Sequence, residues 1–131
     1  MAELLVPISP GELIDKITIL EIKSARMTDE AKLRNVRTEL QMLNETWKAS
    51  PYSAVDISAE WKGLRDVNAQ LWDIEDDIRD KERDGQFDEQ FIELARAVYV
   101  TNDERAAIKR RINVKLGSVL VEEKSYKKYK K

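Results

Sequence analysis

The chemistry open to this chain is limited by the side chains that it lacks. Its 131 residues include no cysteine and no histidine, which removes disulfides, thiol nucleophiles, imidazole bases and the usual zinc or copper sites. Any catalysis must therefore use carboxylates, Lys, Arg, Tyr or hydroxyl groups. A metal ion, if one is used, should be a hard, oxygen-bound cation such as magnesium.

One candidate magnesium site lies in a run of aspartates. Asp73 and Asp76 are three residues apart, as are Asp77 and Asp80, so each pair lies on one side of a helix. All-α nucleotide pyrophosphohydrolases hold magnesium with such pairs on two facing helices. The second helix carries only Glu39 in its middle, and Glu75 is followed three residues on by Ile78, so neither offers a matching pair. The sequence therefore favours a protein without a cofactor, and a magnesium-dependent enzyme of this type remains an alternative.

A second candidate site consists of charged residues on otherwise apolar helices. The segment from Ile8 to Lys23 begins with a capping box, Ser9 to Glu12, and then carries apolar residues on every face, so this helix should be buried. Charges on such a helix need partners. We predict a ligand or partner cleft in which Glu75 and Arg79 of the third helix meet Lys16 or Lys23 of the first. A structural network of ion pairs without a ligand explains the same pattern and remains open.

Apolar periodicity predicts about five helices with short connections, hence a compact all-α bundle with antiparallel neighbours. The first helix starts at Pro10 and the second is capped by Thr28 or Asp29. The other three are predicted over residues 57–83, 87–100 and 101–117, the last from a second capping box at Thr101.

The two ends of the chain are apolar without a helical pattern. Residues 3–8 and 118–122 are short extended pieces, and a small two-stranded ribbon that pairs them is one interpretation. The length suits a single domain, which we place at residues 1–126, followed by a basic tail at residues 127–131.

Self-association is predicted from the first two helices. Leu33, Val36, Leu40, Leu43 and Trp47 form a heptad seam, and the first helix is apolar all round. Five helices of one small domain would have difficulty covering this surface, so a homodimer with twofold symmetry is expected. A seam that packs into the core of its own domain is the alternative.

Charge is unevenly distributed along a chain whose formal net charge is -2. Residues 73–90 carry nine acidic and three basic side chains, whereas residues 105–131 carry ten basic and two acidic ones. The basic segment suits RNA or an acidic partner, but the acidic helix can neutralise it internally, so nucleic acid is not the favoured partner. No apolar run approaches the roughly 18 residues of a membrane span and no secretion signal is apparent, so we expect a cytoplasmic protein without a membrane partner.

Three blocks of sequence carry a family resemblance. They are Pro10 to Lys23, then Leu71 to Arg79 continuing at Phe87 to Tyr99, and finally Asn102 to Lys109 with residues 117–126. These blocks resemble an uncharacterised family of small bacterial and phage proteins, domain of unknown function 6165. The resemblance covers nearly the whole chain and implies no activity. It implies that the polar residues to test first are Lys16, Lys23, Glu75, Arg79, Asn102, Asp103, Arg105, Lys109 and residues 123–126. Arg105 and Lys109 are thereby added to the predicted ligand or partner cleft, which then lies between the first, third and fifth helices.

Together these patterns favour a helical binding or accessory module with a charged cleft and no identifiable catalytic activity. Its expected partners are a second copy of itself and an unknown protein or small anionic ligand.

Overall fold

The computed structural model describes residues 3–130, which form four α-helices and one short 3-10 helix. The α-helices are α1 (Pro10–Arg26), α2 (Glu30–Ala49), α3 (Ser58–Arg83) and α4 (Glu89–Lys115), and the 3-10 helix spans Pro51–Ala54. The predicted all-α class is therefore confirmed. Residues 3–130 contain no helix that is both long and apolar enough to cross a bilayer.

The ends of the helices follow local sequence signals. Ser9 Oγ accepts a hydrogen bond from the backbone N–H of Glu12 at 3.2 Å, and Asp29 caps α2 in the same way through Lys32. Gly85 and Gly117 follow α3 and α4 with φ of +66°, a conformation that glycine adopts without strain. Because the segments between these helices are short, consecutive helices fold back on one another.

The core is built around α1, as its apolar faces predict. This helix packs between α2 on one side and the antiparallel hairpin of α3 and α4 on the other. Ile14 and Ile17 of α1 have no exposed surface. The heptad seam of α2 also packs inward, where Leu40, Leu43 and Trp47 contact this core. The seam is thus used within its own domain.

The predicted break between a fourth and a fifth helix is wrong, because α4 runs unbroken through Thr101. The capping box at Thr101 does not act as a helix start. Thr101 is buried, and Asn102 and Asp103 direct their side chains to Arg105 and Lys124 instead of the backbone. Packing against the equally long α3 keeps the helix continuous, and no Gly or Pro interrupts it.

The ribbon between the termini is also wrong for the described part of the chain, in which no residue is assigned to a strand. Residues 3–8 are extended and exposed. Residues 118–130, here called the C-terminal segment, make side-chain contacts with α4 and leave the N-terminal residues unpaired. The domain limit at residue 126 stays a prediction, although Tyr129 beyond it packs on Tyr99, and Lys131 lies outside the described residues.

The α3–α4 hairpin is longer than the core that it joins. Among the described residues, the buried residues of α3 end at Leu71 and those of α4 begin at Thr101. Residues 72–100 thus form a two-helix arm that carries ten of the 25 acidic residues of the chain and four basic ones.

Candidate functional site: a charged groove beside a buried polar cluster

A carboxylate lies at the centre of the helix interface. Asp15 of α1 has only 1% of its surface exposed. Arg105 of α4 donates from Nε to Oδ1 of Asp15 at 2.9 Å and from a terminal nitrogen to Oδ2, and Asn68 of α3 donates to Oδ1 at 3.0 Å. Asn68 also donates to Thr18 Oγ1, whose own hydrogen goes to the carbonyl of Asp15. We call Asp15, Thr18, Asn68 and Arg105 the buried polar cluster.

The two charges of this cluster stabilise each other. Burial opposes the ionisation of Asp15, but the hydrogen bonds from Arg105 and Asn68 and the nearby positive charges outweigh it and lower the pKa of Asp15 below its ordinary value. The hydrogen bond to Asp15 raises the pKa of Arg105. Both groups are therefore charged at neutral pH. The Arg105 side chain keeps 30% of its surface exposed, so it connects the core with the surface.

Lys109 lies one turn further along α4 and bridges two acidic groups. Its Nζ lies 2.8 Å from Glu12 Oε2 and 2.7 Å from Glu122 Oε2. Burial favours the neutral amine, but these two hydrogen bonds prevail and raise the pKa of Lys109. The lysine therefore ties the start of α1 to both α4 and the C-terminal segment.

The start of α1 is held unusually close to α4. The backbone N–H of Gly11 donates to Oδ1 of Asn113 at 2.7 Å, and a Cβ at Gly11 would lie only 2.5 Å from the carbonyl oxygen of Lys109. Only glycine fits this approach. Because Asn113 and Ser9 already accept from the first amides of α1, this helix start is not an open anion site.

Arg105 and Lys109 open onto a groove between α4 and the C-terminal segment, here called the charged groove. Its volume is about 1340 Å³. The segment is fixed across it by Glu123 on Arg110 at 3.3 Å and by the rings of Tyr129 and Tyr99, whose centroids are 4.9 Å apart. Among the lining residues four are acidic and six are basic, and the basic ones are Arg105, Lys109, Lys124, Lys127, Lys128 and Lys130.

The structure brings together only some of the residues predicted for the cleft. Arg105 and Lys109 line the charged groove, and Lys16 lies beside it, half-exposed, with its Nζ 3.9 Å from Glu12. Lys23 makes no ion pair with residues 3–130. Glu75 and Arg79 pair with each other at 3.5 Å on the arm, where 74% of the Arg79 side chain is exposed.

The alternative magnesium site finds no facing ligands in residues 3–130. Asp73 pairs with Arg26 at 2.6 Å and Asp80 with Arg83 at 3.3 Å, while Asp76 and Asp77 are exposed. Nowhere in this range do three or more carboxylates come close enough together to hold a metal ion. The helix pairing of carboxylates that magnesium pyrophosphohydrolases use is therefore missing from this part of the chain.

Sequence reasoning missed the centre of the site. The predicted cleft does not include Asp15, Thr18 or Asn68, which form the buried polar cluster with Arg105. The available signal was the position of Asp15 in a helix whose every face is apolar, since a carboxylate in such a helix must be buried with a partner. The identity of that partner depends on tertiary structure.

The family of unknown function DUF6165 matches residues 4–130, so the chain belongs to that family. No curated protein and no solved structure matches the chain.

Proposed function

We propose that the protein is a helical binding module that holds an anionic group of a partner in the charged groove, with Arg105 as the main binding residue. The observation that carries this proposal is the hydrogen bonding of the Arg105 guanidinium. Asp15 fixes one of its edges, whereas the remaining terminal nitrogen has only a 3.5 Å contact with Asn102. A donor held in place before binding loses little freedom when a ligand arrives.

Stability alone is a poor explanation for the Asp15–Arg105 pair. Removing two charges from water is costly, and apolar side chains of similar volume often stabilise a core more than a buried ion pair does. Asp15 is almost completely buried in a core that is otherwise mostly apolar. A binding role for the exposed edge of Arg105 accounts for a pair that the core itself does not require.

The charge states favour binding over proton transfer. The pKa values of Arg105 and Lys109 are raised and that of Asp15 is lowered, so none of the three exchanges a proton readily near neutral pH. The proposed role is therefore that of a binding or accessory protein, not of an enzyme.

The size and lining of the groove point to an extended anion. Its volume of about 1340 Å³ exceeds the roughly 300–1,000 Å³ of ordinary small-molecule pockets, and one side is open. Tyr99, Tyr126 and Tyr129 add flat apolar surface between the charges. An acidic or phosphorylated peptide segment fits this combination of length, charge and aromatic contacts.

Fluorescence anisotropy with a labelled hexaglutamate peptide tests the proposal. Lys128→Glu, in the groove, should weaken binding several-fold, whereas Lys48→Glu, an equal charge change on exposed α2 surface, should not. Increasing salt should weaken binding because the attraction is electrostatic. Equal weakening by both variants would mean general charge attraction, and preferential binding of a labelled single-stranded RNA would favour the RNA alternative.

A further inference from the structure

A second cavity lies where α2 meets α3, and it shares no lining residue with the charged groove. Its volume is about 540 Å³, within the range of ordinary ligand pockets. Trp47 and Trp61 stand edge to face in its wall, with ring centroids 6.0 Å apart, and Val55 and Ile57 extend the apolar surface. Lys62 and Arg65 form a basic rim. We call this cavity the tryptophan pocket.

A hydrogen bond holds one indole of the tryptophan pocket, and the basic rim is partly neutralised because Lys62 pairs with Asp66 at 2.8 Å and Asp56 also lines the pocket. Trp61 Nε1 donates to Glu21 at 3.1 Å, which fixes the indole ring. The carboxylate paired with Arg65 is the same Glu21, at 3.9 Å, too long for a hydrogen bond. Half of the Arg65 side chain is exposed. The pocket therefore presents indole rings together with the Arg65 guanidinium, whose N–H donors are not all used.

The chain also carries an apolar segment that its own fold leaves uncovered. In residues 3–8, here called the N-terminal segment, Leu4 is 90%, Leu5 81% and Val6 64% exposed. Isolated apolar residues on a surface are normal, but consecutive ones in an extended segment mark an interaction site. No residue of this segment lines the tryptophan pocket of its own chain.

We propose that the tryptophan pocket binds the N-terminal segment of a second copy of this chain. The apolar side chains and Pro7 would pack on the indoles, since extended proline-containing segments suit aromatic-lined grooves. The acidic Glu3 complements Arg65, the rim cation without a close partner. The N-terminal segment and the tryptophan pocket are thus complementary in both polarity and charge.

Reciprocal exchange of the two segments gives a closed twofold dimer. One short segment in one pocket buries only a small area, and reciprocal exchange doubles the buried area. This dimer would not use the heptad seam of α2 as a coiled coil, because Leu40 and Leu43 pack on the core of their own domain. The interaction is independent of the charged groove, so either proposal can fail without the other.

Light scattering over a dilution series from about 100 µM to about 1 µM tests the dimer, at concentrations where a micromolar complex dissociates. The full-length chain should pass from about twice the monomer mass of 15.2 kDa towards that mass. Leu5→Asp should weaken the dimer at least about tenfold. Val119→Asp, an equal change at a 95% exposed position outside the segment, should leave it unaltered.

A charge exchange then identifies the contact. Glu3→Arg and Arg65→Glu should each weaken the dimer, and the double variant should recover it, with thermal melts verifying that each variant is folded. A monomer mass at every concentration overturns the proposal, even if a free peptide of residues 3–8 quenches tryptophan fluorescence. An equal loss in Val119→Asp, or no loss in Leu5→Asp, overturns it as well.

Discussion

Arg105 and Asp15 are 90 positions apart in the sequence, yet the guanidinium of one donates two hydrogen bonds to the carboxylate of the other. The pair joins α4 to α1 in the middle of the core. Asn68 adds α3 to the same contact. The stability of the helix packing and the orientation of the groove's main cation therefore depend on one carboxylate.

Replacing Arg105 should be costly for the fold. Arg105→Gln leaves the charge of Asp15 buried with Asn68 as its only remaining side-chain donor, and we expect a loss of about 3 kcal/mol in the free energy of unfolding. Arg79→Gln removes an exposed i,i+4 pair and should cost about 0–1 kcal/mol. Urea denaturation measures both. Equal midpoints would show that the buried pair contributes no more than the surface pair.

The contribution of Asp15 should depend on pH. Because its pKa is lowered in the folded state, the stabilisation is fully present above the ordinary aspartate pKa of about 3.9 and is lost as pH falls through the lowered folded value. The parent should therefore exceed Asp15→Asn in unfolding free energy at neutral pH, and the excess should shrink below about pH 4. Urea titrations at several acidic pH values check this. A difference that persists undiminished to about pH 2 contradicts the assignment.

Two glycine-to-alanine substitutions should act in opposite directions. At Gly11 the new Cβ would lie 2.5 Å from a backbone oxygen of α4, so the helices must separate, and we expect a loss of about 1–3 kcal/mol. At Gly63 the nearest atom is Ile108 Cδ1 at 3.6 Å, an ordinary contact, and alanine favours the helix by about 0.5–1 kcal/mol. Thermal unfolding distinguishes them. A stabilised Gly11→Ala variant would show that α1 and α4 are further apart than described.

The C-terminal segment should be released by charge neutralisation. It is attached through side chains, among them Lys124 on Asp103 and Tyr129 on Tyr99. Asp103→Asn weakens the first contact and should lower the backbone ¹⁵N NMR order parameters of residues 118–130, whereas the exposed Asp76→Asn should not. About 1 M salt should act in the same direction because it screens these pairs. Order parameters unchanged by both treatments would mean that apolar contacts hold the segment.

The helices themselves could be predicted because their signals are local. Caps such as Ser9 and Asp29 and the apolar periods lie within a few residues of the structure that they specify. The continuity of α4 at Thr101 could not be predicted from local signals. A capping motif of this kind can start a helix or lie inside one, and the packing around it decides which.

The site was harder to predict because it depends on tertiary distance. The family resemblance points to Arg105 and Lys109, but their partners Asp15 and Glu12 lie on another helix. Glu75 and Arg79 lie beside the apolar face of α3, formed by Leu64, Val67, Leu71, Ile74 and Ile78, and this position predicts burial. Past Leu71 that face enters the arm, where the other helices no longer cover it.

An apolar surface on every side leaves α1 without a preferred rotation about its own axis. If the helix turned by one residue, about 100°, it would still bury isoleucine and leucine against both neighbours. The same turn would carry Asp15 away from Arg105 and Asn68 and leave a charge buried without a partner, at a cost of several kcal/mol. Together with the close approach at Gly11, the buried carboxylate of Asp15 thus selects one angular setting of the central helix from several in which its isoleucines and leucines would be buried.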